Sequence, residues 1–123
     1  MAKFVTPLGE DRPVEEVSVQ DLAVQLQAEN DALQLVDVRE PQELAIAKLP
    51  GFMNLPLSEN QQWAGDIQTR LDPTKETWVL CHHGMRSANM CQWLESQGYS
   101  NVKNISGGIH AYSIQVDPTI PQY

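Results

Sequence analysis

The run Trp78-Val79-Leu80-Cys81-His82-His83-Gly84-Met85-Arg86-Ser87 decides the reading of this chain. An apolar, β-type stretch runs directly into a cysteine, a short polar loop with one glycine follows, and a helical pattern starts at Ser87. A loop that closes onto a helix N-terminus turns backbone N–H groups inward and adds the partial positive charge of the helix dipole. Such surroundings stabilise a thiolate, the reactive form of cysteine. Cys81 is therefore expected to act as a nucleophile and not merely as a buried thiol, although cysteine is among the most buried residue types. Gly84 supplies the backbone freedom a tight cradle needs. Arg86, separated from Cys81 by four residues, supplies charge for an anionic ligand.

Working outward, strands and helices alternate. Val14 to Val17 reads as a short strand, and Ser18 caps a helix with Asp21 as its capping-box partner; Val19, Leu22, Ala23 and Leu26 make one apolar face. Ala32 to Val38 is nearly continuous in apolar character, as buried parallel strands are. Pro41 opens a short helix toward Ala47. Phe52 to Leu55 forms the next strand, and Ser58 is expected to cap a long helical stretch through Trp63, Ile67 and Leu71, ended by Asp72-Pro73. Thr77 to Leu80 is a strand, Ser87 to Gln97 a helix with Gly98 at C′, and Val102 to Ile105 a further strand. Gly107-Gly108 leads into a short helix, and Asp117 to Tyr123 is expected to run extended over the surface. The alternation implies one α/β domain with a central, mostly parallel sheet flanked by helices on both faces. Residues 1–12 read as an N-terminal surface arm and 13–123 as the domain. Ligands of such folds sit beyond the carboxyl ends of the strands, where both Cys81 and Asp37-Val38-Arg39 fall.

Composition narrows the function. With 41% hydrophobic and 20% charged residues the chain is globular in type. A formal net charge of −8 argues against binding nucleic acid or an anionic membrane, while a local cradle still suits a small anion. No apolar run reaches membrane-spanning length, and no signal-peptide pattern follows Met1. Two cysteines suit a reducing compartment, and a cytoplasmic protein is the expectation. The oligomeric state stays open.

Four motifs, in order, resemble single-domain rhodanese-type sulfurtransferases: Leu35-Val36-Asp37-Val38-Arg39-Glu40-Pro41-Gln42-Glu43, Leu49-Pro50-Gly51-Phe52-Met53-Asn54-Leu55-Pro56-Leu57, the Cys81 to Ser87 loop, and Gly107-Gly108-Ile109-His110-Ala111-Tyr112. The resemblance extends from about Val17 to the C-terminus. It implies a rhodanese-like α/β domain and transfer of sulfane sulfur, from thiosulfate or a persulfide donor to a thiophilic acceptor, through a persulfide on Cys81. His82, His83, Gly84, Met85 and Arg86 then bind the substrate, and no cofactor is required. The chain departs from the family where Ala47-Lys48 stands in place of Gly-His ahead of Leu49-Pro50-Gly51.

Two other functions share parts of this pattern. Phosphatases and arsenate reductases also use a Cys…Arg loop on a helix N-terminus, but with five intervening residues, which widens the cradle for a tetrahedral oxyanion; the four found here favour sulfur. Some rhodanese-like domains are non-catalytic binding modules, usually without the cysteine this chain keeps. Cys91 reads as core filling. His82 and His83 read as pocket walls and not as zinc ligands, since neighbouring residues rarely converge on one ion and no further Cys/His cluster accompanies them. His110 reads as exposed and without a catalytic part. Asp37 and Arg39 either hold the loop, touch substrate, or form a strand-end ion pair. Trp63, Trp78 and Trp93 read as packing residues.

Overall fold

The computed structural model describes residues 3–5 and 11–123, with side chains from Pro13 onward. Five strands form a wholly parallel sheet in the order β3 (Glu15–Val17), β7 (Val102–Ile105), β6 (Thr77–Leu80), β4 (Gln34–Asp37), β5 (Met53–Asn54). β4 and β6 lie side by side, with Asp37 opposite Leu80. The parallel register therefore puts the loops after Asp37 and after Leu80 at the same edge of the sheet. Ahead of it, β1 (Lys3–Val5) pairs antiparallel with β2 (Asp11–Pro13), a ribbon in a segment with no sequence periodicity. Residues 1, 2 and 6–10 of the expected arm lie outside the described residues.

Alternation along the strands divides the core in two. Val36, Val79 and Val102 face one cluster, completed by Trp63 and Ile67 and by Met90, Cys91 and Leu94 of α5 (Met85–Ser96). Trp78, Leu80 and Ile105 face the other, completed by Val19 and Leu22 of α1 (Val19–Ala28) and by Ile109 and Tyr112 of α6 (Gly108–Gln115). Helices thus cover both faces, as the nearly continuous apolar strands require. Ala47, at the departure from the family pattern, is buried in this second cluster.

Local signals account for most helix ends. Ser18 Oγ accepts from Asp21 N–H at 3.0 Å while Asp21 accepts from Ser18 N–H at 3.2 Å, a reciprocal capping box on α1. Pro41 opens α2 (Pro41–Ile46). α5 closes in a Schellman motif: Gly98 N–H donates to Glu95 C=O and Tyr99 N–H to Leu94 C=O. It starts two residues before the expected Ser87, because Gly84 occupies the N-cap position.

Two expectations fail. The stretch after Ser58 is not one helix. It is a 3₁₀ turn (Leu57–Glu59), α3 (Asn60–Trp63), a second 3₁₀ turn (Ala64–Asp66) and α4 (Ile67–Arg70). Trp63, Ile67 and Leu71 remain buried, so packing preserves the apolar face while the backbone tightens around Gly65. Ser58 does not cap it; its N–H and hydroxyl both donate to the Glu40 carboxylate. The terminal segment also leaves the extended path: Tyr123 returns to the carboxyl edge of the sheet and stacks on His82, with ring centroids 3.8 Å apart and planes 6° from parallel.

Candidate active site

Cys81 follows the last residue of β6 and sits under the loop it begins. The residue is 1% exposed, so the thiol is both loop-held and buried. Its surroundings are polar on one side: Sγ accepts from Gly84 N–H at 3.0 Å and lies 3.2 Å from Ser87 Oγ. Gly84 has φ +108°, a left-handed conformation that aims its amide at the sulfur.

Ser87 leads to a polar chain that the motifs did not disclose. Its hydroxyl also reaches Asn104 Oδ1, while Asn104 Nδ2 donates to Glu16 Oε2 and to Gly84 C=O, each at 3.0 Å. With Nδ2 so engaged, Asn104 presents only its carbonyl oxygen to Ser87. The single hydroxyl proton is thus shared between Asn104 and the sulfur: a thiolate draws it toward Sγ, and a thiol leaves it with Asn104. Asn104 is 2% exposed in the middle of β7. A short amide residue between Val102 and Ile105, in a strand that the alternation of elements makes central, is the sequence signal that points to it.

The far side of the loop is fastened by α6. Ile109 N–H donates to Cys81 C=O and His110 N–H to His82 C=O, both at 3.0 Å. Orphan donors of a helix N-terminus thereby take up the loop carbonyls, which are turned away from the sulfur. Gly108 permits that approach: a Cβ there would lie 2.4 Å from the carbonyl oxygens of both Cys81 and His82.

Arg86 is not a free cationic wall. Nη1 donates to Glu43 Oε2 at 2.8 Å and Nη2 to Glu43 Oε1 at 2.9 Å, a two-pronged pair between α5 and α2. The hydrogen bonds from Arg86 are the main reason the Glu43 carboxyl is pulled down to about 2, and in return Glu43 holds the guanidinium pKa above its ordinary value. Tyr123 joins this group, its hydroxyl accepting from Arg39 Nη1 and donating to Glu43 Oε1, each at 2.9 Å.

The remaining residues separate clearly. Asp37 and Arg39 form a buried ion pair, Nη2 to Oδ2 2.8 Å, with Arg39 0% exposed; this strand-end pair anchors the neighbouring loop. Met85 is 79% exposed at the rim, beside a groove of about 590 Å³ lined in part by Glu16, His83, Gly84, Asn104 and Gly107. Cys91 is fully buried on the sheet-facing side of α5, and burial pushes its thiol well up. His82 titrates below the usual histidine range, first through burial and then through the neighbouring His83. His110 is half-buried and not exposed as expected, and its ring lies 4.7 Å from that of His83. α6 thus brings a third imidazole beside His82 and His83, from 27 residues beyond His83 along the chain.

Comparison with known proteins matches residues 18–115 to the model of the rhodanese-like domain. The chain is 49% identical over 118 residues to the Rhodanese-like/PpiC domain-containing protein 12, chloroplastic, of Arabidopsis thaliana, covering 94% of this chain but 40% of that protein. It is 33% identical over 108 residues to YtwF of Bacillus subtilis, whose name provisionally describes a sulfurtransferase, covering 85% of this chain and 96% of that one. In fold it matches the Saccharomyces cerevisiae single-domain sulfurtransferase RDL2, with TM-score 0.72 at 23% identity over 89% of this chain and 96% of that chain. Among the described residues no helix is long and apolar enough to cross a membrane. From its family model, its wholly parallel sheet and its loop motif, this chain belongs to the rhodanese-like domain family.

Proposed function

We propose that the protein is a sulfurtransferase that carries sulfane sulfur as a persulfide on Cys81. The observation that carries this reading is the donor pair on Sγ, Gly84 N–H and Ser87 O–H, set in a loop only four residues wide between Cys81 and Arg86. Such donors stabilise a sulfur anion before attack and again when the acceptor has taken the sulfur. The name of the Bacillus subtilis relative supports the same activity class.

The reaction divides into two displacements. In the first, the Cys81 thiolate attacks the outer sulfur of thiosulfate; a new S–S bond forms, and sulfite leaves with the electron pair of the bond that breaks. A persulfide donor reacts in the same way and releases its thiolate. In the second, a thiophile attacks the outer sulfur of the persulfide, and the Cys81 thiolate departs with the electron pair. No net oxidation is needed. The buried sulfur favours slender donors and acceptors that reach it through the loop rim. Arg86 orients anionic donors to the extent that Glu43 leaves its charge available. A reducing compartment suits the two free thiols. The plant relative is chloroplastic by name, so a reducing compartment and not the cytoplasm in particular is what we propose.

The test is intact-protein mass spectrometry after thiosulfate, then cyanide. A gain of about 32 Da, one sulfur atom, that cyanide removes and Cys81→Ala prevents is the expected result. Hydrolysis of an aryl phosphate that disappears with Cys81→Ser, without any sulfur adduct from thiosulfate or a persulfide donor, overturns it in favour of a phosphatase.

A further inference from the structure

Three imidazoles converge beside the sulfur cradle. His82 and His83 come from the loop and His110 from the first turn of α6, fixed there by its N–H bond to His82 C=O at 3.0 Å. Ring centroids are 3.9 Å apart for His82 and His83, 4.7 Å for His83 and His110, and 6.0 Å for His82 and His110. One ring nitrogen from each residue lies within 4.8 Å of the others.

Two of these rings carry a second, independent sign. Nε2 of His82 and Nδ1 of His110 are both shut off from solvent and have no hydrogen-bond partner. Buried polar atoms normally find a partner, and leaving one unmet costs about 1–3 kcal/mol. A metal ion accepts the lone pair of a neutral imidazole and meets that need directly. The Tyr123 ring stacked on the face of His82 fixes the plane of that imidazole, and a hydrogen bond with the Tyr123 backbone engages the ring, so that Nε2 is the nitrogen left to coordinate.

We propose that His82, His83 and His110 form a binding site for a divalent, borderline-soft transition-metal ion, with Zn²⁺ the best match. Three imidazoles with a fourth position open to solvent are an ordinary zinc ligand set. Tetrahedral geometry with Zn–N bonds near 2.0–2.1 Å calls for nitrogens about 3.4 Å apart. The present separation closes by side-chain rotation, chiefly of His83, which is exposed and free to turn. The overall charge of −8 favours a cation on this chain. The ion pins loop residues 82 and 83 to α6, directly after Cys81. The site stands independently of the sulfur-transfer reading.

The test is titration of the untagged full chain with Zn²⁺ against a chromophoric chelator, repeated with Co²⁺ and its visible absorption. The expected result is one ion per chain, with binding weakened about tenfold or more by His110→Asn and by His83→Asn and retained in Cys81→Ser. Circular dichroism checks that each variant folds, and should His110→Asn fail to fold, the exposed His83→Asn decides. No saturable binding, binding indifferent to the histidine variants, or binding lost in Cys81→Ser overturns the proposal; the last outcome places the metal on the thiolate.

Discussion

Arg86 and Glu43 face each other through two parallel hydrogen bonds of 2.8 and 2.9 Å, so the loop arginine meets substrate with its charge already partnered. A fork-to-fork pair fixes the guanidinium in orientation as well as in charge. Removing the carboxylate charge while keeping the side-chain shape isolates the second effect from the first. Glu43→Gln is expected to lower KM for thiosulfate several-fold and to leave KM for a neutral persulfide donor nearly unchanged. Arg86→Ala is expected to act in the opposite sense, raising KM for the anionic donor more than for the neutral one. Steady-state kinetics with both donors checks this, and equal changes for both remove Arg86 from donor recognition.

The same pair shapes acid stability. The Glu43 carboxyl lies at about 2 in the folded protein against an ordinary value of 4.5, chiefly through Arg86. A depressed carboxylate pKa stabilises the fold above its unfolded value, and that contribution drains away as pH falls through the folded value. The window is therefore pH 4.5 down to about 2. Wild-type unfolding midpoints in urea are expected to fall through this range more steeply than those of Glu43→Gln. Parallel curves for the two proteins would show that the pair contributes nothing net to stability.

Gly108 and Gly65 make a matched comparison of glycine sites. A Cβ at Gly108 meets two backbone oxygens at 2.4 Å, and its φ is +64°, so neither flexible side chains nor a rotamer change can relieve the clash. A Cβ at Gly65 meets nothing within 4 Å. Gly108→Ala is expected to destabilise by about 3 kcal/mol or more and to disturb the Cys81 loop; Gly65→Ala is expected to stay within about 0.5 kcal/mol of wild type. Thermal and denaturant unfolding decide both. A Gly108→Ala protein as stable as wild type contradicts the close packing of α6 on the loop.

How far the sequence led depended on the distance between partners. Ser18 with Asp21, Pro41, Gly98 and the apolar runs of β4 and β6 act through neighbours a few residues away, and their pattern disclosed the elements and the parallel architecture. Cys81, Gly84 and Ser87 lie within seven residues, so the cradle was legible as a loop on a helix start. The partners of those residues were not. Arg86 reaches back 43 residues to Glu43, and Tyr123 reaches 84 residues to Arg39. His110 joins the loop only because the register of α6 against β6 puts it there, and no local periodicity encodes that register. Ser58 shows the reverse error: a good capping residue in a plausible place is taken by a tertiary partner, Glu40.

The two cysteines give a final prediction, because they share burial and differ in what surrounds the sulfur. Cys91 is packed among Val36, Val79 and Leu94, and burial drives its thiol away from ionisation. Cys81 is as buried, but two polar donors lie on its sulfur, and it is covered on the rim side by loop atoms that a small reagent can displace. Thiolate character, and not exposure alone, governs alkylation. Native protein treated with a small haloacetamide is expected to gain one label, on Cys81, while unfolded protein gains two. Cys91→Ala should cost about 1–2 kcal/mol in stability through its small cavity and keep the sulfur adduct, whereas Cys81→Ser should abolish the adduct at near-wild-type stability. Peptide mapping of label and adduct tests all of this at once. An adduct or a native label on Cys91 would mean that the donors around Cys81 do not make it the reactive thiol.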